Sequence, residues 1–323
     1  MSAVLVVRPS SLGDIVYALA IVCDIRHHRP DLAIDWVAER GFAPLVALCP
    51  DIRRVVPFAL RRWRRAPLAP ATWREIGAFR RDVKAHWYAA ILDLQEQVKG
   101  ALIARTARGR RHGFDRASIR EPLASFALDV VHRVPRDLHF VLRCRLLAAA
   151  ALGYAIDEPP RWHIVPPPAA PAIPEGRYAV VLHATSRPEK VWPDDHWRAV
   201  IADLAQAGYA TVLPWGSAPE HARSARLAEG IESAVVPPWL SLPEAATLLA
   251  HAELAIGIDT GFTHLAATLG TPTVALFCAT DPLVHGVACT GPHARDLGGG
   301  RAAPAVDEVI AAAGALLRNV PNS

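Results

Sequence analysis

The chain has 323 residues, 52% of them hydrophobic, enough for two domains with separate cores at about 100–200 residues per domain. This excludes a disordered chain and a disulfide-stapled miniprotein. The formal charge of +4 hides a division, since residues 1–168 hold 26 Lys and Arg against 16 Asp and Glu while the remainder holds 9 against 15; a basic half and an acidic half point to different ligands.

Short apolar runs at 3–7, 33–37, 55–56 and 89–92 predict buried parallel strands, separated by helical periodicity such as that over 15–27. The proline-rich stretch 159–168, continuing through Pro171 and Pro174, breaks helices and suits an interdomain linker. Beyond it the plan repeats, with strands at 178–182, 210–213, 254–258 and 273–277 and helices near 194–207, 221–229, 243–251 and 262–269. The expected class is α/β, two doubly wound Rossmann-like domains facing each other across a cleft. Their expected bounds are 1–165 and 175–323, with the final helix free to pack back on the first. In such folds ligands bind beyond the carboxyl ends of strands, so the motifs should follow strands.

The cysteines Cys23, Cys49, Cys144, Cys278 and Cys289 form no CxxC or Cys/His pair at metal spacing and read as buried thiols of a reducing compartment. The apolar run 3–7 is too short for a signal-peptide core. No window of 18 uncharged apolar residues exists, and the best, around 142–156, is broken by Arg143 and Arg145. The expectation is a cytoplasmic protein whose basic face rests on anionic lipid as a peripheral contact.

Three motifs follow predicted strands. In 8–14, Arg-Pro-Ser-Ser-Leu-Gly-Asp, Ser11 and Gly13 allow a tight turn into a helix start, and Asp14 reads either as a carboxylate complementing the helix dipole or as a general base. In 183–193, His-Ala-Thr-Ser-Arg-Pro-Glu-Lys-Val-Trp-Pro, the hydroxyls of Thr185 and Ser186 with Lys190 suit a departing diphosphate, or a solvated surface loop. In 257–264, Gly-Ile-Asp-Thr-Gly-Phe-Thr-His, the glycines admit close approach of a ligand while Asp259 and Thr260 offer polar contacts; His264 alone fits a core histidine. GxGxxG, GxxxxGK[ST], GxSxG and an Asp-x-Asp pair are missing, which disfavours dinucleotide, P-loop, hydrolase and metal-chelating nucleotide-sugar chemistry. Arginines crowd 53–65 around Trp63, and again 105–120; such runs suit nucleic acid, a solvated face or an acidic glycan.

These motifs resemble the ADP-heptose glycosyltransferases of lipopolysaccharide inner-core assembly. The His183 motif, 60–65 (Leu-Arg-Arg-Trp-Arg-Arg), 112–115 (His-Gly-Phe-Asp) and 120–124 (Arg-Glu-Pro-Leu-Ala) are similar to its heptosyltransferase I branch. The resemblance implies a GT-B fold and a metal-independent, inverting transfer from ADP-L-glycero-β-D-manno-heptose to the first Kdo of Kdo2-lipid A at the cytoplasmic face of the inner membrane, with no cofactor and no nucleic acid. By motif match it makes Asp14 the base and gives Lys190, Thr185 and Ser186 the donor phosphates, with Ser11 and Gly13 beside the donor. Asp259, Thr260, Gly261 and His264 would line the heptose and diphosphate, Glu220 the ribose and Leu240 the adenine side. Arg61, Arg62, Arg65, Arg120, His139 and Arg143 match the acceptor-side cations. Two positions depart from the pattern: Ser186 stands for a threonine, and Glu96 for a glycine in the expected acceptor groove. Two other readings stay open. One is a heptosyltransferase II or another transferase with a different acceptor; the other is a non-catalytic basic binding module.

Overall fold

The computed structural model describes residues 2–169, 174–185, 187–300 and 302–318. The chain divides into two compact units, 1–165 and 166–323. In the first, β1 (Ala3–Val7), β2 (Ala33–Glu39), β3 (Ile52–Phe58), β4 (Trp87–Asp93), β5 (Arg108–Phe114) and β6 (Val130–His132) form one sheet in the order β3-β2-β1-β4-β5-β6, every pair parallel. All residues of β1 and β2 are buried, as parallel strands covered by helices on both faces must be. Burying each Val, Leu or Ile contributes about 1.5–3 kcal/mol, which sends these apolar runs to the centre of the sheet.

An acid interrupts the apolar run at the start of β2. Asp35 is fully buried and takes Arg53 at 2.9 and 2.8 Å, Arg54 Nε at 3.1 Å and the Tyr88 hydroxyl at 2.9 Å. A buried carboxylate without such partners would be too costly to keep ionised. Two arginines of the basic segment 53–65 are therefore committed to the sheet. The second basic segment also has a structural share, because β5 runs through Arg108, Arg110 and Arg111, and Arg111 pairs with Asp129.

The second unit holds β7 (Tyr178–Leu182), β8 (Ala210–Val212), β9 (Ala234–Val235), β10 (Leu254–Ile258), β11 (Thr273–Phe277) and β12 (Ala294–Gly298), again all parallel, in the order β12-β11-β10-β7-β8-β9. Numbered from its own first strand, each sheet has the order 3-2-1-4-5-6, the arrangement of doubly wound nucleotide-binding folds. The last helix, Val306–Arg318, lays Val309, Ala313 and Leu316 into the core under β10 and β11.

Strand order reverses between β1 and β4 in one unit and between β7 and β10 in the other. The segments leaving the carboxyl ends there are 8–14, 94–99, 183–193 and 259–264. In open α/β sheets these are the positions where ligands bind.

Candidate active site

In the first unit the chain leaves β1 and enters the helix Leu12–Ala18 with Ser11 at its N-cap. Asp14, in the first turn, accepts the Ser11 N–H at 3.0 Å and its hydroxyl at 2.7 Å, which satisfies a donor that the helix start leaves open. Gly13 lies inside the same turn. The dipole-complementing role of Asp14 is thus present, and it coexists with a second relationship: Arg8 Nη2 lies 2.7 Å from Asp14 Oδ2. Arg8 is 4% exposed, donates to the Leu94 carbonyl and stacks over Phe140 at 4.7 Å. The Asp14 side chain is 27% exposed, so the carboxylate is held by a buried guanidinium at the edge of solvent.

Beside it, the segment after β4 contributes Lys99, whose Nζ donates to Ser10 Oγ at 2.9 Å. Burial, with the charges of Arg8 and Arg61, shifts this lysine below its ordinary value. Asp93, the last residue of β4, is buried; it accepts the Gln95 N–H at 2.9 Å, and burial pushes its carboxyl up to about 7. A cavity of about 570 Å³ opens next to Lys99, floored by Phe58, Trp63, Phe79 and Ile103 and rimmed by Arg64 and Arg80.

The expected acceptor-side cations divide. Arg65 and Arg120 are exposed. Arg61 is exposed and lies over the Phe42 ring at 5.4 Å, while Arg62 pairs with Glu75. His139 caps the helix Phe140–Leu152, its Nδ1 accepting the Val141 N–H at 3.3 Å, and its ring meets Tyr17 edge-on at 5.5 Å. Arg143 is the buried member of the set. It is 6% exposed, paired with Glu96 at 2.9 Å, bonded to the Ser118 carbonyl at 2.8 Å and stacked over Phe114 at 4.6 Å.

In the second unit, Lys190 and the 257–264 motif meet. Lys190 Nζ donates to Asp259 Oδ2 at 2.5 Å, His264 Nε2 lies 3.1 Å from Asp259 Oδ1, and the Thr280 hydroxyl donates to Oδ2 at 2.7 Å. Burial alone would raise the Asp259 pKa, but the hydrogen bond and charge of His264, with Lys190 and Thr280, hold the carboxyl well below the usual carboxylate range. Thr260 occupies the N-cap position of the helix that begins at Gly261, its hydroxyl 3.3 Å from that of Thr263. Gly257 is required by space, because a Cβ there would overlap Thr263 Oγ1 and approach Leu182 Cβ to 2.8 Å. Thr263 needs that room to donate to the Ile258 carbonyl at 2.6 Å, which locks the turn into the helix.

The loop after β7 is set by a residue the sequence reading missed. Arg223 donates to the His183 carbonyl at 2.8 Å, the Trp192 carbonyl at 2.7 Å and Asp194 at 2.7 Å, clamping both ends of the segment that carries Lys190. His183 itself is fully buried against Ser224 at 2.8 Å, and burial lowers it to about 4, so it is a neutral core residue. Thr185 accepts the Arg187 N–H at 3.2 Å; Ser186 lies outside the described residues. Glu220, in the first turn of the helix Ala218–Ala228, accepts the Gly216 N–H at 2.7 Å. Leu240 is buried beside Trp239, which is 59% exposed. Thr280 and Arg8 carried no separate signal, one lying 21 residues from its partner and the other inside a motif read for its glycine and acid. Among the described residues, His27, His28 and Asp157 are grouped closely enough to hold a metal ion; none belongs to these motifs.

The sequence profile of glycosyltransferase family 9 (heptosyltransferase) matches residues 76–297. Lipopolysaccharide heptosyltransferase 1 of Salmonella typhimurium is 40% identical over 304 residues, 90% of this chain and 94% of the relative. The structure of the E. coli heptosyltransferase WaaC with ADP matches with a TM-score of 0.84 at 38% identity, covering 93% of each chain. That of WaaC with ADP-2-deoxy-2-fluoro heptose matches with a TM-score of 0.81 at 37% identity, covering 91% of this chain and 92% of that one.

Proposed function

The chain belongs to glycosyltransferase family 9, the heptosyltransferases, and from that premise we propose that it moves L-glycero-D-manno-heptose from ADP-heptose to the first Kdo of Kdo2-lipid A, with inversion. The observation that carries the donor side is the cluster of Lys190, Asp259, His264 and Thr280 at the strand-order reversal of the second unit. A cation held at a fixed point beside a helix start is suited to a diphosphate leaving group. Asp259 is surrounded by its own partners, so its role is to aim Lys190 and His264 at the phosphates and sugar. Thr185, Thr260 and Gly261 supply hydroxyl and backbone N–H contacts, Glu220 the ribose contact, and Leu240 an apolar wall for adenine.

On the acceptor side, Asp14 takes the proton of the attacking Kdo hydroxyl. The oxygen bonds to the anomeric carbon from the face opposite the leaving group, the bond from that carbon to the phosphate oxygen breaks, and ADP departs with its charge balanced by Lys190. Arg8 holds Asp14 in position between turnovers. Arg61, Arg65, Arg120 and Lys99 present cations to the carboxylates and phosphates of the acceptor. The basic first unit suits that ligand better than nucleic acid does.

Incubation with ADP-heptose and Kdo2-lipid A, following ADP release and lipid mass, tests the reading. The expected product is the acceptor plus one heptose, with ADP released in equal amount. No ADP above an acceptor-free control overturns it, and preference for the mono-heptosylated lipid reassigns the acceptor.

A further inference from the structure

One surface feature is unused by the site above. The segment 66–73, Ala-Pro-Leu-Ala-Pro-Ala-Thr-Trp, comprises the turn after the helix Leu60–Arg65 and the first turn of the helix Pro70–Lys84, and contains no charged residue. Leu68 is 89% exposed and Trp73 63%. The segment satisfies much of its own backbone: Ala69 N–H donates to the Ala66 carbonyl at 3.2 Å, Thr72 N–H to the Ala69 carbonyl at 2.9 Å, and the buried Thr72 hydroxyl to the Ala66 carbonyl at 2.8 Å. It is also fixed to the core, because Trp63 in the preceding helix packs edge-on against Phe58 at 4.9 Å and against Phe79 at 6.2 Å. A rigid apolar tip with internal hydrogen bonds can leave water without stranding its polar groups.

Cations border this tip on both sides. Arg64 and Arg65 precede it and Arg74 follows it; all are exposed, and among the described residues none is paired with a carboxylate. The nearby acid, Glu75, is taken by Arg62 and by the Trp63 indole at 2.9 Å. An uncharged Leu/Trp tip bordered by unpaired arginines complements hydrocarbon beneath anionic headgroups, with tryptophan at the boundary. The turn follows β3 by one short helix, so it lies at the carboxyl edge of the sheet, the edge that carries Asp14.

We propose that the segment 66–73 inserts into an anionic bilayer, with Leu68 and Trp73 entering the acyl boundary and Arg64 and Arg74 on the headgroups. It thereby holds the Asp14 edge of the first unit at the lipid surface. This rests on the reading of a lipid-borne acceptor, and it is tested without donor or acceptor. The full chain is sedimented with vesicles of phosphatidylcholine alone and of phosphatidylcholine with phosphatidylglycerol. Retention on the anionic vesicles, weakened by salt, is expected. Leu68→Ser with Trp73→Ser should weaken that retention by about tenfold or more, as two apolar side chains lose burial. Trp87→Ser, removing a 77% exposed tryptophan at the amino end of β4, should leave retention unchanged. Failure of the parent to bind, equal binding to both vesicle types, or undiminished binding of the double variant overturns the proposal, as does sedimentation without vesicles, which would mark a self-association surface. Turnover on a water-soluble, de-acylated acceptor separates the two readings. The double variant should match the parent there, whereas no transfer by the parent to either acceptor form sinks the acceptor assignment and leaves the vesicle result standing.

Discussion

Glu96 Oε1 lies 2.9 Å from Arg143 Nη1, and each side chain is only 7% exposed. Glu96 reaches this position from a left-handed backbone, φ +60°, a conformation that ordinarily favours glycine. The charge that the sequence assigns to the acceptor is therefore neutralised from within, and the ion pair offsets the strained backbone. Arg143→Ala strands a buried carboxylate and should destabilise the first unit by about 3–5 kcal/mol. Arg120→Ala removes an exposed side chain and should raise the acceptor KM with no change in melting. Thermal melts and acceptor kinetics on both variants check this; an unshifted melt for Arg143→Ala would remove the structural role.

Asp14→Ala should abolish turnover while leaving ADP-heptose binding nearly intact, because the residues proposed above for the donor phosphates, Lys190 and Thr185, belong to the second unit. Calorimetric titration of the donor into the variant, beside an ADP-release assay, separates the two effects. Retained turnover refutes the base assignment.

Lys190→Ala should lower kcat by about 10²–10³, the usual loss when one stabilising group at a developing anion is removed. Asp259→Asn leaves Lys190 in place but loosens its aim, so its loss of kcat should be smaller and accompanied by weaker ADP binding. Equal donor binding by parent and Asp259→Asn would exclude the positioning role.

The raised Asp93 pKa gives a signed pH dependence. The folded carboxyl titrates near 7 and the unfolded one near 3.8, so the native state binds more protons between those values. Its contribution is fully present below about pH 4 and is lost as pH rises through 7. Asp93→Asn mimics the neutral form, so its stability relative to the parent should grow from pH 5 to pH 8, by an amount on the order of a few kcal/mol. Urea unfolding of both proteins at the two pH values measures it, and a constant difference would contradict the buried, protonated assignment.

Gly257→Ala should destabilise the second unit by about 1–3 kcal/mol, the range for forcing extra volume into a packed site. The added carbon displaces Thr263 and with it the start of the helix Gly261–Thr268. Denaturant unfolding and ADP affinity should fall together, whereas a loss of affinity alone would place the effect on the ligand.

The central strands and three of the loops that leave them were legible because strands such as β1 and β10 are unbroken apolar runs, and a motif that follows such a run lies at a carboxyl edge. Strands β5, β6, β9 and β12 were not. β5 contains Arg108, Arg110 and Arg111 with two glycines, β12 reads Ala-Arg-Asp-Leu-Gly, and β9 has two residues. Their pairing comes from the neighbouring strand and not from their own pattern. In the site, local spacing exposed Asp14, Lys190 and Asp259, but the groups that hold them lie far along the chain. Arg223 reaches back 40 residues to the His183 carbonyl, and Glu96 reaches forward 47 to Arg143. Such pairings leave no periodic trace. The same holds for Arg53 and Arg54, whose buried partner Asp35 turns an apparent surface charge run into sheet structure.

Each sheet draws all its strands from one side of residue 165, down to the final helix that stays with the second sheet. A cut at that point severs no hydrogen-bonded ladder. Each half therefore carries a complete sheet and core of its own. On the function proposed above, a chimaera that joins the first half of a relative with another acceptor to this second half should change which acceptor receives the sugar while keeping the donor, and acceptor assays on the chimaera measure it.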